Sequence, residues 1–539
     1  MNKIILFLSL FISVSLYSND TVKVRQPQIP VLIDRQDNIL YYIRLESNAG
    51  DILDNIKLAI KSDIDLNKIK TLRLFYSGTD NVQREGKVSY APAQYLSREK
   101  ADYARKANPS YSIKKDEATD VKSEIVLTAN QKLVEGINYF WISIEMDDNT
   151  PLLSTLQTDI KEITINGRNT FIVKENADIV RRMGTGVRYA GDDGAAAYRI
   201  PGLVTSNNGT LLGVYDVRYN SSVDLQEYVD VGLSRSTDKG QTWEDMRLVL
   251  KFGEEGGLPK AQNGVGDPAI LVDKQTGTIW VVAAWTHGMG NGRAWHNSQQ
   301  GLNRDRTAQL VLAKSDDDGK TWSQPINITE QVKNPSWYFL LQGPGSGITM
   351  EDGTLVFATQ YIGEDRVPNA GIMYSKDHGK TWHMHNHARS NTTEAQVAEV
   401  IPGILMLNMR DNRGGSRAVS ITYDLGETWT EYTSSRSALR EPVCMASLIK
   451  VSAKDNILGK DILLFSNPDS TEGRKDITIK ASLDGGVTWK PSHQVLLDDG
   501  ASWGYSCLTM IDRETVGILY ESSIAHLVFQ AVKISDIVK

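Results

Sequence analysis

The sequence predicts an all-β chain, a β-propeller of at least five blades preceded by a β-sandwich. Five copies of Ser/Thr-x-Asp-x-Gly-x-Thr-Trp recur, at Ser236–Trp243, Ser315–Trp322, Ser375–Trp382, Thr422–Trp429 and Ser482–Trp489. Their tryptophans lie 79, 60, 47 and 60 positions apart. That spacing suits one four-stranded blade per copy, with loops of unequal length. The region before the first copy contains no such box and alternates apolar with polar residues in strand fashion. Five boxes set only a minimum for the number of blades.

Residues 1–18 read MNKIILFLSLFISVSLYS: one lysine, an apolar run, then small and polar residues. This is the pattern of a secretory signal peptide, with cleavage expected near Ser18–Asn19. No cysteine follows to take a lipid anchor. The run is short for a membrane span, and no later stretch is long and apolar enough to make one. The expected location is therefore outside the cytoplasm: periplasmic, surface-bound or released. The chain holds 59 basic and 66 acidic residues, and loss of the leader with its single lysine takes the net charge from −7 to −8. A mildly acidic chain has no electrostatic reason to bind nucleic acid or anionic lipid.

Residues 19–176 carry the strand-like runs Thr71–Tyr76, Ser123–Thr128, Ile137–Met146 and Lys161–Ile165, separated by polar turns. The polar stretch Ser97–Lys114 reads as a long loop. A sandwich of about 150 residues is the natural arrangement. Glu175–Thr185 reads as the bridge, and the propeller as residues 187–539.

Each box fits a hairpin turn. Its Asp can bind backbone N–H groups, its Gly can supply positive φ, and its Trp can pack between neighbouring sheets. Asp238, Asp317, Asp377, Asp424 and Asp484 are therefore read as turn staples. Cys444 and Cys507 sit in apolar runs of different repeats and are read as buried free thiols.

A second set of motifs is left over. Tyr198-Arg199-Ile200-Pro201 opens the first blade ahead of the five boxes. This combination resembles the exo-α-sialidases of bacteria, over about residues 187–539, and the resemblance implies a six-bladed β-propeller. The resemblance implies an arginine triad of Arg199, Arg410 (in LNMRDN) and Arg474 (in STEGRKD), shaped to hold the substrate carboxylate with charge-assisted forks. Arg413 and Arg417 are rivals of Arg410, which is preferred because it ends the apolar run Gly403–Met409 and follows Glu394 by 16 residues. It further implies Tyr505 as nucleophile, Glu394 as its acidic partner with Glu399 as competitor, and Asp224 as acid/base with Asp230 as alternative. Arg218 would contact the carboxylate or the C4 side of the sugar. Asp267 would accept hydrogen bonds from the C4 hydroxyl or amide. Glu521 would orient Arg199. The glycines of Gln342–Gly347 would let backbone approach the site, unless they form a plain turn.

The expected partners are sialylated glycans. Secreted glycan-acting enzymes often carry a sugar-binding sandwich, so the N-terminal region reads as carbohydrate-binding or as a packing domain. No HExxH, Walker or dinucleotide motif is present, and no cofactor or catalytic metal is expected. His383, His385 and His387 share one strand face but lack a companion ligand set, and read as exposed strand residues. Two rivals remain: a trans-sialidase on the same scaffold, and a non-catalytic sialoglycan-binding propeller.

Overall fold

The computed structural model describes residues 21–79 and 113–539, with the backbone of the strands Val82–Arg84 and Lys87–Ser89 between them. The leader and nearly all of the expected 97–114 loop lie outside the described residues.

Six sheets form a closed ring in which each packs against the next. Blade 1 runs Ala197–Thr205, Leu211–Arg218, Val229–Ser236 and Arg247–Leu250. Blade 2 has Val265–Val272, Ile279–Trp285, Gln309–Ser315 and Ile326–Asn327, and blade 3 Phe339–Gln342, Leu355–Ile362, Pro368–Ser375 and His383–Met384. Blade 4 has Thr392–Ile401, Ile404–Asp411, Ala418–Thr422 and Thr430–Glu431, and blade 5 Ser447–Val451, Ile462–Pro468, Ile477–Ser482 and Gln494–Asp498. Blade 6 is built from Ser506–Met510, Thr515–Tyr520 and Leu527–Lys533. Its fourth strand, Arg181–Arg188, comes from the other end of the propeller sequence, with Thr185 opposite Phe529.

That closure explains why six blades carry five boxes. Each box is the turn from third to fourth strand, and in blade 6 no such turn exists. In the box of blade 3, Asp377 Oδ1 accepts from Ser375 Oγ at 2.8 Å and Thr381 N at 2.9 Å, and Oδ2 accepts from Thr381 Oγ1 at 2.6 Å. Gly379 sits at φ +81°, and a Cβ there would lie 2.4 Å from the Trp280 ring of blade 2. Trp382 packs edge-on to Trp280, so the box also joins two blades.

The closing strand starts at Arg181, inside the segment read from sequence as a bridge. Its arginines look like solvent residues, which hid it. Arg181 is instead fully buried and donates to Leu40 O at 2.6 Å and Gln26 Oε1 at 3.2 Å. The same strand pairs with Thr155–Ile165, which continues into Ile52–Ser62 and Glu124–Lys132. One sheet thus runs from blade 6 into the N-terminal region. A six-stranded sheet, in the order Ile172–Lys174, Thr21–Arg25, Asn38–Ser47, Gly136–Met146, Ile69–Gly78, Ile113–Ala118, packs against it. Ile29, Tyr42, Phe75 and Trp141 share a core with Leu464 and Val528 of the propeller.

Candidate active site

Register shifts interrupt the inner strands of blades 1, 2 and 4 between Arg199 and Gly202, Gly266 and Ala269, and Thr392 and Ala395. Bulges of this kind bend a strand and re-aim a side chain. They fall on Arg199, Asp267 and Glu394, and turn those side chains into a cavity of about 440 Å³. Asp224 reaches it from the connection between the second and third strands of blade 1. Arg410 comes from the end of the second strand of blade 4, Arg474 from the corresponding connection of blade 5, and Tyr505 from the entry to blade 6. All of these line the cavity.

Glu521 is fully buried beneath Arg199. Its Oε1 accepts from Arg199 Nε at 2.9 Å and Ile200 N at 3.0 Å, and its Oε2 accepts from Tyr505 N at 2.9 Å. One carboxylate therefore fixes the arginine and the tyrosine together. The Arg199 guanidinium lies 4.9 Å from the Trp503 ring centroid and 5.3 Å from that of Tyr505. Arg474 is aimed by Trp503 O and Val443 O, each at 3.0 Å.

The Tyr505 hydroxyl donates a short hydrogen bond to Glu394 Oε1. Arg410 Nη1 donates to Glu394 Oε2 at 2.6 Å and to the Tyr505 oxygen at 3.3 Å. Burial, and then the Glu394 charge, push the phenol well above its ordinary value, while Arg410 and Arg474 work the other way. Tyr505 is therefore protonated at rest, with its proton already directed at a carboxylate.

Asp224 accepts from Arg218 at 2.8 Å and faces Arg199 at 3.7 Å and Arg293 at 3.9 Å. Burial raises its carboxyl, but Arg218 and Arg199 outweigh that and hold it below the usual range.

Three sequence expectations change. Arg218 is only 1% exposed and does not line the cavity; its guanidinium is held by Asp216 and Asp224, so it supports Asp224 rather than meeting the sugar directly. Asp267 lines the cavity, but burial and the neighbouring Asp216 push its carboxyl well above the usual range. A carboxyl raised in this way holds its proton more readily, and in its protonated form it donates as well as accepts. The glycines of Gln342–Gly347 serve close packing, not the site: a Cβ on Gly343 would lie 2.4 Å from Ala395 O of blade 4, and one on Gly347 2.6 Å from Val356 O of its own blade.

The rivals fall elsewhere. Arg417 and Asp230 are buried away from the cavity, and Arg413 binds Asp411 and Ser390 O. Glu399 caps the N–H groups of Glu351 and Gly403. His385 and His387 bond Tyr374 and Tyr361. Both cysteines are free and buried. Sequence reading missed Arg293 and Trp295, which line the cavity. Their signal was the longest interval between boxes, 79 residues, which holds the excursion from Trp285 to Gln309.

A family model described as the N-terminal domain of BNR-repeat neuraminidase matches residues 19–169, and a BNR repeat-like domain matches residues 200–521. A sialidase of Bacteroides fragilis (strain YCH46) is 66% identical over 522 residues, 96% of either chain. A sialidase of Clostridium perfringens is 32% identical over 383 residues, 66% of this chain and 95% of that one. Among solved structures, a Hadza microbial sialidase superposes with a TM-score of 0.90 at 61% identity, over 96% of this chain and 100% of that one. The intramolecular trans-sialidase of Ruminococcus gnavus, at 21% identity and a TM-score of 0.56 over 65% of this chain and 98% of that one, shares the fold.

Proposed function

This chain belongs to the sialidase family and is an exo-α-sialidase, a glycoside hydrolase, and we propose that it works by a retaining mechanism with Tyr505 as nucleophile. The observation that carries this reading is the Tyr505–Glu394 hydrogen bond at the wall of a cavity lined by Arg199, Arg293, Arg410 and Arg474. A sugar-binding surface needs no such pair.

Arg199, Arg410 and Arg474 hold the carboxylate on the anomeric carbon. Tyr505 attacks that carbon while its proton passes to Glu394. A neutral phenol approaches a carboxylate-bearing carbon with less repulsion than a second carboxylate would, and sialidases with a tyrosine nucleophile depart from the two-carboxylate pattern in this respect. Asp224 protonates the leaving oxygen, then deprotonates the water that breaks the glycosyl–tyrosine bond. Asp224 needs a proton for the first step, yet the free enzyme holds it ionised. The substrate carboxylate resolves this. By engaging Arg199 it cancels part of the positive field on Asp224, so binding arms the acid.

The N-terminal sandwich fits a supporting role. It shares a sheet and a core with blade 6, and Gln28 O accepts from Asp499 N at 2.8 Å at the start of the loop that carries Trp503 and Tyr505. Among the described residues no helix is long and apolar enough to cross a membrane. Export by the N-terminal leader accords with a glycan substrate outside the cytoplasm.

The test is release of a fluorescent aglycone from an α-linked sialic acid. Tyr505→Phe should reduce turnover by about 10³-fold or more, roughly 4 kcal/mol of barrier, in a protein that still folds. Near-normal turnover in that variant would refute the nucleophile. Product analysis with an added acceptor glycan separates hydrolysis from transfer.

A further inference from the structure

Glu441 is a buried carboxylate, 1% exposed, that the mechanism above does not use. It lies in the short strand Arg440–Glu441, paired with Gly415–Ser416, in the connection from blade 4 to blade 5. Its Oε1 accepts from Asp411 N at 2.9 Å. Its Oε2 accepts from Arg417 Nη1 at 2.9 Å and Cys444 N at 3.3 Å. Arg417 is fully buried and spends its other donors on Cys444 O at 2.6 Å, Asn408 Oδ1 at 2.7 Å and Asn408 O at 3.1 Å.

Two site arginines hang from the ends of this network. Arg410 directly precedes Asp411, whose N–H Glu441 holds. Arg474 donates to the carbonyl of Val443, the residue before Cys444, and Val443 is held at φ +55°. Cys444 packs with Ile200, Met445 and Tyr505, and its Sγ faces Trp503 O, the other acceptor of Arg474. The arrangement matches that of Glu521, which joins Arg199 to Tyr505 from below. A buried ion pair adds little net stability over a well-packed apolar substitute. What it does provide is a fixed separation between the backbone segments it joins.

We propose that Glu441 is a positioning residue that sets the separation of Arg410 and Arg474 for the substrate carboxylate, acting through the backbone of Asp411 and of Val443–Cys444. This rests on the reading of those arginines as the carboxylate clamp.

The experiment measures KM, kcat and the inhibition constant of free sialic acid for wild type, Glu441→Gln, Arg474→Ala and the double variant. Glu441→Gln should weaken sialic acid inhibition by about ten- to a hundredfold, the scale of one charge-assisted contact, with KM moving more than kcat. The loss in the double variant should fall short of the product of the single losses, because both act on one clamp. Losses that multiply fully, or an unchanged inhibition constant in Glu441→Gln, overturn the proposal. An unchanged constant in Arg474→Ala would instead remove the clamp reading, and this inference with it. Asp273→Asn, at a buried carboxylate bonded to Gln275 N and His378 in the blade 2 turn, is the stability control. It should lower the melting temperature and leave the inhibition constant within about twofold. If it weakens inhibition as much as Glu441→Gln at equal thermal loss, Glu441 is structural only. If Glu441→Gln does not fold, Arg417→Lys, which keeps the charge and loses the fork, takes its place in the cycle.

Discussion

Glu521→Gln is the most direct test of how the site is held. The substitution keeps size and shape but replaces one acceptor oxygen with a donor NH₂. The carboxylate now accepts from four N–H groups: Arg199 Nε and Ile200 N on one oxygen, and Tyr505 N and, at 3.5 Å, Arg199 Nη2 on the other. In either flip of the amide, NH₂ meets an N–H, so at least one buried donor is left unpaired. Arg199, itself buried, also loses its close counter-charge, and the nearest remaining carboxylate oxygen, that of Asp224, is 3.7 Å away. Breaking a buried pair in this way costs about 3–5 kcal/mol. A shift of Arg199 by roughly 1 Å is worth about another hundredfold in rate. Thermal unfolding and kcat/KM on the fluorogenic sialoside read the two effects. Sialic acid should recover part of the lost stability, because its carboxylate supplies Arg199 with a new anion. A variant with wild-type melting temperature and wild-type kcat/KM would refute the assignment of Glu521 as the support of Arg199.

Other predictions concern pH. Asp224 must be protonated to donate, and in the free enzyme Arg218 and Arg199 hold it ionised. Activity should therefore fall as pH rises, and the basic limb of kcat should lie at higher pH than that of kcat/KM, since only the former reports the complex in which the substrate carboxylate occupies Arg199. Coincident limbs would remove the arming step. The box carboxylates Asp317, Asp377 and Asp424 are each lowered from 3.8 to about 2. For Asp377 burial works the other way, and the Thr381 hydroxyl and N–H outweigh it. For such depressed groups the stabilisation is present above the unfolded value and is lost as pH falls through about 2. Asp377→Asn should flatten the dependence of melting temperature on pH between roughly 4 and 2; an unchanged slope would contradict the staple role.

The architecture was legible because its signals are local. A box is a complete turn within eight residues, and its Ser, Asp, Gly and Thr find each other without help from the rest of the chain. The runs Ile137–Met146 and Lys161–Ile165 likewise show their strand character in their own alternation. Tyr505, Glu394 and the three arginines were readable only through the resemblance, because the residues that give them meaning lie far away in sequence; Tyr505 and Glu394 are 111 positions apart. Tertiary structure alone decided the rest. It placed Arg181–Arg188 as the fourth strand of the last blade, because a ring must pair its two ends. It set bulges at Arg199, Asp267 and Glu394, because a strand bends where its partner is one residue short. It raised the carboxyl of Asp267 by burying it beside Asp216, and it set Glu441 between the backbone that carries Arg410 and the backbone that holds Arg474. Burial and long-range pairing are properties of the packed chain, whereas turn chemistry and strand alternation belong to the sequence itself.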